Sequence, residues 1–106
     1  RQTVQPLDIT GDFSSPDPVF NWSWRAGVET MIPTTADAFV DPWRERAVYI
    51  GDTLVEFHAL RAMTPDLSMT RRCLWLWAMG QRPDGQMLDV IPAWKPRPLH
   101  DYTLVW

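Results

Sequence analysis

The sequence predicts an all-α fold made of helical hairpins, with a short extended segment at its start. Three stretches of the 106-residue chain repeat apolar residues at the 3.6-residue period of an α-helix. Two of these stretches begin with an acid or a hydroxyl residue directly before proline, which is typical of a helix start. The links between the stretches are short, and helices with short links pack as antiparallel neighbours.

The first predicted helix follows an extended entry segment that we assign to residues 1–18. Asp17 supplies a capping carboxylate, and Pro18 suits the first helical position. Pro33 lacks an amide hydrogen and clashes with the preceding turn, so the helix should kink or break near Ile32. The helix should be over by Asp41, although its apolar stripe could continue beyond the break through Ala36, Phe39 and Val40.

A second helix is predicted over residues 47–63 and a third from Pro65 to about residue 79. The second is apolar on most sides, which predicts burial between neighbours, and Gly51 within it indicates close approach of another group. Residues 86–98 are predicted to be loop, and a fourth helix should begin at His100 and Asp101. Residues 19–106 are therefore assigned to one partial helical domain that is expected to continue past the C-terminus.

Composition excludes several functional classes. Net charge is −3 and the basic residues are scattered, which argues against nucleic-acid and membrane partners. The chain has two histidines, His58 and His100, and one cysteine, so a zinc site is not expected and no cofactor is implied. We predict that His58 lies in a buried helix and that Cys73 is a buried, inert thiol.

Residues 41–52 combine acids, bases and aromatic rings between two apolar helical segments. Cleavage of a glycosidic bond needs a proton donor at the leaving oxygen and a second carboxylate across the ring. Glu45 is the candidate donor, while Asp41 and Asp52 could bind sugar hydroxyls. A helical path would separate Glu45 from Asp52 by about 10 Å, beyond the roughly 6.5–9.5 Å of an inverting pair, so the base is not apparent here.

Two other interpretations of these residues stay open. Residues 41–46 could form a capping loop held by Asp41–Arg44 and Glu45–Arg46 ion pairs, with no role in catalysis. The seven tryptophans also allow a non-catalytic helical module for carbohydrate binding or other interactions, because aromatic rings stack on sugars. Its stacking platforms would be Trp22, Trp24, Trp43 and Trp94.

The 41–52 segment resembles the signature of bacterial α-L-rhamnosidases, glycoside hydrolase family 78. Residues 11–18, 81–85, 89–92 and 101–106 match the order of that family's neighbouring segments, so the resemblance covers nearly the whole chain. It implies the first part of a six-hairpin (α/α)6 barrel that cleaves terminal α-L-rhamnosides with inversion. An unrelated toroid glycosidase, or a related hydrolase for another sugar, is the alternative.

The resemblance also implies roles for individual residues. Glu45 would be the general acid, and Asp41 and Asp52 would contact the sugar. Tyr49 takes the place of an aromatic platform, and Arg44 corresponds to a sugar-binding arginine. Asp101 would line the cleft from a later helix, and Trp94 is a further candidate for substrate binding. The general base would lie outside this chain, so the expected partners are rhamnose-containing glycosides and the remainder of the parent barrel.

Overall fold

A computed structural model describes residues 5–41, 43–44, 47–92 and 97–106. Within them lie four helices: α1 (Pro18–Thr34), α2 (Ile50–Met63), α3 (Ser68–Met79) and α4 (His100–Val105). Strands β1 (Val48–Tyr49) and β2 (Val90–Ile91) form a two-stranded antiparallel sheet, in which Val48 pairs with Ile91 and Tyr49 with Val90. The predicted helical fold is confirmed.

The first helix begins where the sequence predicts. The Asp17 side chain accepts a hydrogen bond from the Val19 amide at 2.9 Å, and Pro18 occupies the first turn. The helix ends at Thr34, one residue after Pro33, so the predicted break near Ile32 is correct within two residues.

The apolar stripe does not continue as helix after this break. Residues 35–39 instead form a tight turn, in which Thr35 and Phe39 face each other in an antiparallel bridge. The Val40 amide donates to the Thr34 carbonyl at 2.9 Å, which closes the turn. This geometry satisfies the backbone while it buries Ala38, Phe39 and Val40, and that burial accounts for the apolar pattern.

The second helix begins at Ile50, three residues later than predicted, because Val48 and Tyr49 pair with β2 instead. The same pairing adds a short strand to the segment that the sequence predicts as loop. The fourth helix begins at His100 as predicted. Gly51 does mark a close approach, since a Cβ atom there would lie 2.9 Å from the Tyr102 hydroxyl oxygen.

The second helix is central, because it contacts α1, α3, α4 and β1. Its inner residues Ile50, Leu60 and Met63 are buried, whereas Leu54 and Val55 are exposed, so only part of its apolar surface is covered by the described residues. The prediction for His58 is wrong, because this residue is exposed and packs beside Phe57 on the outer face.

The core joins α2 and α3 through the turn that follows α1. Phe39 and Trp77 are fully enclosed, with exposed fractions of 1% and 0%. The Phe39 amide donates a hydrogen bond to Cys73 Sγ at 3.3 Å. Cys73 is buried as predicted, and burial raises the pKa of its thiol to about 11.

The entry segment is fixed to the ends of α1 and α2. The Gln5 amide donates to the Thr35 carbonyl, and the Thr10 and Gly11 amides both donate to the Met63 carbonyl. A Cβ atom at Gly11 would collide with the Ala62 carbonyl oxygen, so the segment runs directly against the helix. No helix in the described part of the chain combines the length and apolar character that a membrane span requires.

Truncation of Phe39 tests the importance of this core. We expect Phe39→Ala to lower the free energy of unfolding by about 3–5 kcal/mol, because it leaves a large cavity beside Cys73. Phe20→Ala is the matched control, since Phe20 is 57% exposed on α1 and its truncation should change stability by about 0.5 kcal/mol or less. Urea denaturation followed by tryptophan fluorescence measures both, and equal losses would contradict this account of the core.

Candidate active site

A cleft of about 370 Å³ opens between the end of α1, the loop that follows it, β1 and the first two turns of α2. Its floor is apolar, because it includes the buried residues Phe39 and Val40. Its polar wall combines two carboxylates on α2 with an acid, a base and an aromatic ring from the preceding segments. The ten lining residues are Thr34, Phe39, Val40, Asp41, Arg44, Ala47, Tyr49, Asp52, Val55 and Glu56.

Asp41 organises the loop at one side of this cleft. Its Oδ1 atom accepts hydrogen bonds from the Trp43 amide at 2.7 Å and the Arg44 amide at 2.9 Å. Its Oδ2 atom lies 3.2 Å from Arg44 Nε. These bonds hold the pKa of Asp41 below its ordinary value, and the bond from the Arg44 amide has the largest effect. Asp41 is therefore ionised at neutral pH.

The Asp41–Arg44 ion pair is the one that the capping-loop interpretation predicts. The Arg44 side chain is 70% exposed, so the pair contributes little to stability by itself. Its structural effect is to orient the loop, since one carboxylate binds two successive amides and a guanidinium. A turn of this kind is compatible with ligand binding, because both side chains also line the cleft.

Tyr49 and Asp52 reach the cleft from the junction of β1 and α2. Tyr49 is the last residue of β1, and its carbonyl accepts a hydrogen bond from Thr53 Oγ1 at 2.9 Å. Asp52 lies in the first turn of α2, where a negative charge is stabilised by the helix dipole. The sheet therefore determines where these two residues stand, since it sets the point at which α2 begins.

Glu56 is a cleft residue that the sequence analysis did not identify. It is half-buried on α2, one turn after Asp52. Burial raises the pKa of Glu56 to about 7, and the negative charges of Asp52 and Asp41 raise it further in the same direction. The signal was present in the sequence, because residues four apart on a helix share a face.

The structure brings four of the predicted site residues together. Asp41, Arg44, Tyr49 and Asp52 all line the cleft. Asp101 does not line it, since it lies in the first turn of α4, and its role in sugar binding stays a prediction. The predictions for Glu45 and Trp94 concern positions outside the described residues.

Three tryptophans of the binding-module interpretation, Trp22, Trp24 and Trp43, lie outside the cleft. No tryptophan in the described ranges lines the cleft. Trp22 is 64% exposed on α1, and Trp43 is 90% exposed in the loop. Trp24 packs on Phe13 with ring centroids 6.0 Å apart, so its face is partly used by the fold. Among the residues that the structure describes, no group of three or more His, Cys, Asp or Glu side chains is arranged to hold a metal ion.

Glycoside hydrolysis uses a pair of Asp or Glu residues, and a cleft lined by several carboxylates is compatible with that chemistry. Comparison with known protein families identifies the family to which this chain belongs. Residues 8–106 match the bacterial alpha-L-rhamnosidase 6 hairpin glycosidase domain, so the chain belongs to this family. A comparison with curated proteins found no match, and neither did a comparison with solved structures. The family identified from the 41–52 segment is confirmed, and with it a function of the glycoside hydrolase type.

Replacement of Glu56 tests the electrostatics of the cleft. Between its ordinary value of 4.5 and about 7, folded Glu56 holds a proton that the unfolded chain has lost, so ionisation progressively destabilises the fold as pH rises. We therefore expect Glu56→Gln to raise the free energy of unfolding at pH 8.5 by on the order of 2 kcal/mol and to have little effect at pH 4.

Urea denaturation at both pH values measures this difference, and Glu29→Gln controls for the loss of one carboxylate on the exposed surface of α1. An identical effect of Glu56→Gln at pH 4 and pH 8.5 would show that Glu56 ionises as readily in the folded chain as in the unfolded one.

Proposed function

We propose that this chain provides the general-acid side of an inverting α-L-rhamnosidase site, with Glu45 as the proton donor. The observation that carries the proposal is the cleft, because it gathers five residues of the 41–52 segment in a chain of the rhamnosidase family. Glu45 stands in the sequence between Arg44 and Ala47, both of which line the cleft. Its role is to protonate the glycosidic oxygen as the bond to the sugar breaks.

The other residues of the segment would bind the sugar. Asp52 is exposed at the cleft, and an ionised carboxylate accepts hydrogen bonds from sugar hydroxyls. Asp41 Oδ1 already accepts from two amides, but Oδ2 keeps a lone pair besides the one that faces Arg44 Nε, so Asp41 can accept from a hydroxyl as well. Tyr49 presents a half-buried ring for the C–H face of the sugar, and Arg44 donates to its oxygens. Terminal α-L-rhamnosides are the substrate class.

The general base and the remaining hairpins would come from outside these 106 residues. A second groove, of about 430 Å³, runs between α2, α3 and α4 and is lined mainly by apolar side chains. Leu54, Leu74 and Trp106 there are exposed by 41%, 42% and 45%. Apolar side chains that are exposed together in one groove can form an interface. In a six-hairpin domain, further helices would cover it and complete the cleft, so the 106-residue chain alone should be inactive.

Glu45→Gln tests the proton donor. In the protein expressed from its complete reading frame, we expect kcat/KM for phenyl α-L-rhamnoside to fall by about 10²–10⁴-fold. The loss should be much smaller for 2,4-dinitrophenyl α-L-rhamnoside, because its leaving group departs without a proton. Proton NMR of the reaction should show β-L-rhamnose as the first anomer, as inversion requires.

Glu29→Gln is the control for the loss of one carboxylate and should leave both rates unchanged. Equal losses on the two substrates would contradict the assignment of Glu45 as proton donor. Hydrolysis by the 106-residue chain alone, abolished by Glu45→Gln, would contradict the proposal that the chain holds only one side of the site.

The groove makes a separate prediction for the isolated chain. We expect the 106-residue chain to self-associate, and Leu54→Ser combined with Leu74→Ser to reduce that association without loss of helix. Sedimentation velocity and circular dichroism measure the two effects. Leu104→Ser is the matched control, because Leu104 is 88% exposed and lies outside the groove. A wild-type chain that stays monomeric at all concentrations would contradict the need for covering helices.

A further inference from the structure

Glu56 lies on the α2 wall of the cleft, which is also lined by the buried turn. It shares the cleft with Phe39 and Val40, which are exposed by 1% and 8%. The negative charge of ionised Glu56 also helps to raise the pKa of the Cys73 thiol on α3. Glu56 is thus half-buried beside the core, whereas Asp52, one turn earlier, is exposed to solvent.

The groups around Glu56 favour its neutral form. Asp52 faces it from α2 and Asp41 from the loop, and both carry negative charge. Arg44 and Tyr49 line the same cleft from the loop and β1, and Arg44 forms an ion pair with Asp41. On α3, Cys73 interacts electrostatically with Glu56, and its thiol is neutral at pH 7. Within the described ranges, no hydrogen bond or ion pair engages the Glu56 carboxyl.

We propose that the neutral carboxyl of Glu56 is a sugar-binding group that donates a hydrogen bond to an oxygen of the bound rhamnose. This inference rests on the proposed sugar site. Asp41 and Asp52 accept from the sugar's hydroxyl hydrogens in the same cleft. The three acids therefore have different roles, since an ionised carboxylate only accepts hydrogen bonds whereas a neutral carboxyl also donates one.

This division of roles follows from the position of each acid. Asp41 stays ionised because two amides and a guanidinium surround it, and Asp52 stands in water at the start of a helix. Glu56 stands on an apolar floor beside two negative charges. Its ionisation would remove the donor and bring a third negative charge against the hydroxyl oxygens of the sugar. Sugar affinity should therefore fall as pH rises through about 7.

The test is the Kd of L-rhamnose at pH 5.5 and pH 8.5, measured by calorimetry on the protein expressed from its complete reading frame. If only neutral Glu56 binds, wild-type affinity falls by about 30-fold between these values, as expected for a pKa of about 7. Glu56→Gln keeps a donor that does not titrate, so its affinity should match the wild type at pH 5.5 and change by less than about twofold at pH 8.5.

Two further variants complete the design. Glu56→Ala removes the donor and should bind at least about fivefold more weakly than wild type at pH 5.5, with circular dichroism to verify its helix content. Glu29→Gln should retain the wild-type loss of affinity at pH 8.5. If Glu56→Ala does not fold, the comparison of Glu56→Gln with wild type decides the question.

Three outcomes would overturn the inference, and they differ in what they say about the site. A wild-type affinity equal at both pH values, or the full 30-fold loss retained by Glu56→Gln, removes the role of Glu56 and leaves the sugar site intact. No binding of L-rhamnose by the wild type at pH 5.5 contradicts the proposed function itself, and the role of Glu56 falls with it.

Discussion

The site depends on the burial of the turn between the first two helices. Phe39 is enclosed, and its amide donates to Cys73 Sγ, which ties this turn to α3. Val40 is tied back to the end of α1 by its own amide. Asp41 is the next residue, so the chain leaves the core and reaches the cleft within one position. The hydrogen bonds that Asp41 accepts from Trp43 and Arg44 therefore start from a point that apolar packing fixes.

The second constraint is the short sheet that comes before α2. Pairing of Tyr49 with Val90 stops the chain from becoming helical earlier, so α2 begins at Ile50. That start sets the helical phase, which puts Asp52 and Glu56 on the cleft side and Leu60 in the core. Gly51 allows Tyr102 to pack closely against the same turn, so α4 is held to this end of α2. The acids of the site are therefore positioned by contacts that lie outside it.

Features with a local physical cause were predictable from the sequence. Asp17 and Pro18 start α1 because a cap and a fixed φ act within one turn, and Pro33 ends it for an equally local reason. The 41–52 segment indicated the family because its charged and aromatic residues follow one another closely. Because they are close in sequence, Asp41, Arg44, Tyr49 and Asp52 could also be predicted to lie around one cleft.

Features that depend on distant partners were not predictable. Val48 and Tyr49 are in a strand only because residues about 40 positions later pair with them, and nothing in residues 47–63 alone reveals that partner. The buried turn at residues 35–39 reads as helix because its apolar spacing suits either structure. Glu56 was missed because its raised pKa depends on burial by the folded chain and on the charges of Asp52 and Asp41, although its spacing from Asp52 was visible.

We propose that the cleft between the buried turn and α2 is the rhamnose site. A crystal structure of the protein expressed from its complete reading frame, with L-rhamnose bound, is the decisive test. We expect sugar hydroxyls within about 2.6–3.2 Å of the carboxylates of Asp41 and Asp52, with the ring beside Tyr49. A sugar bound instead on the exposed face of α1 at Trp22, with the cleft empty, would contradict it.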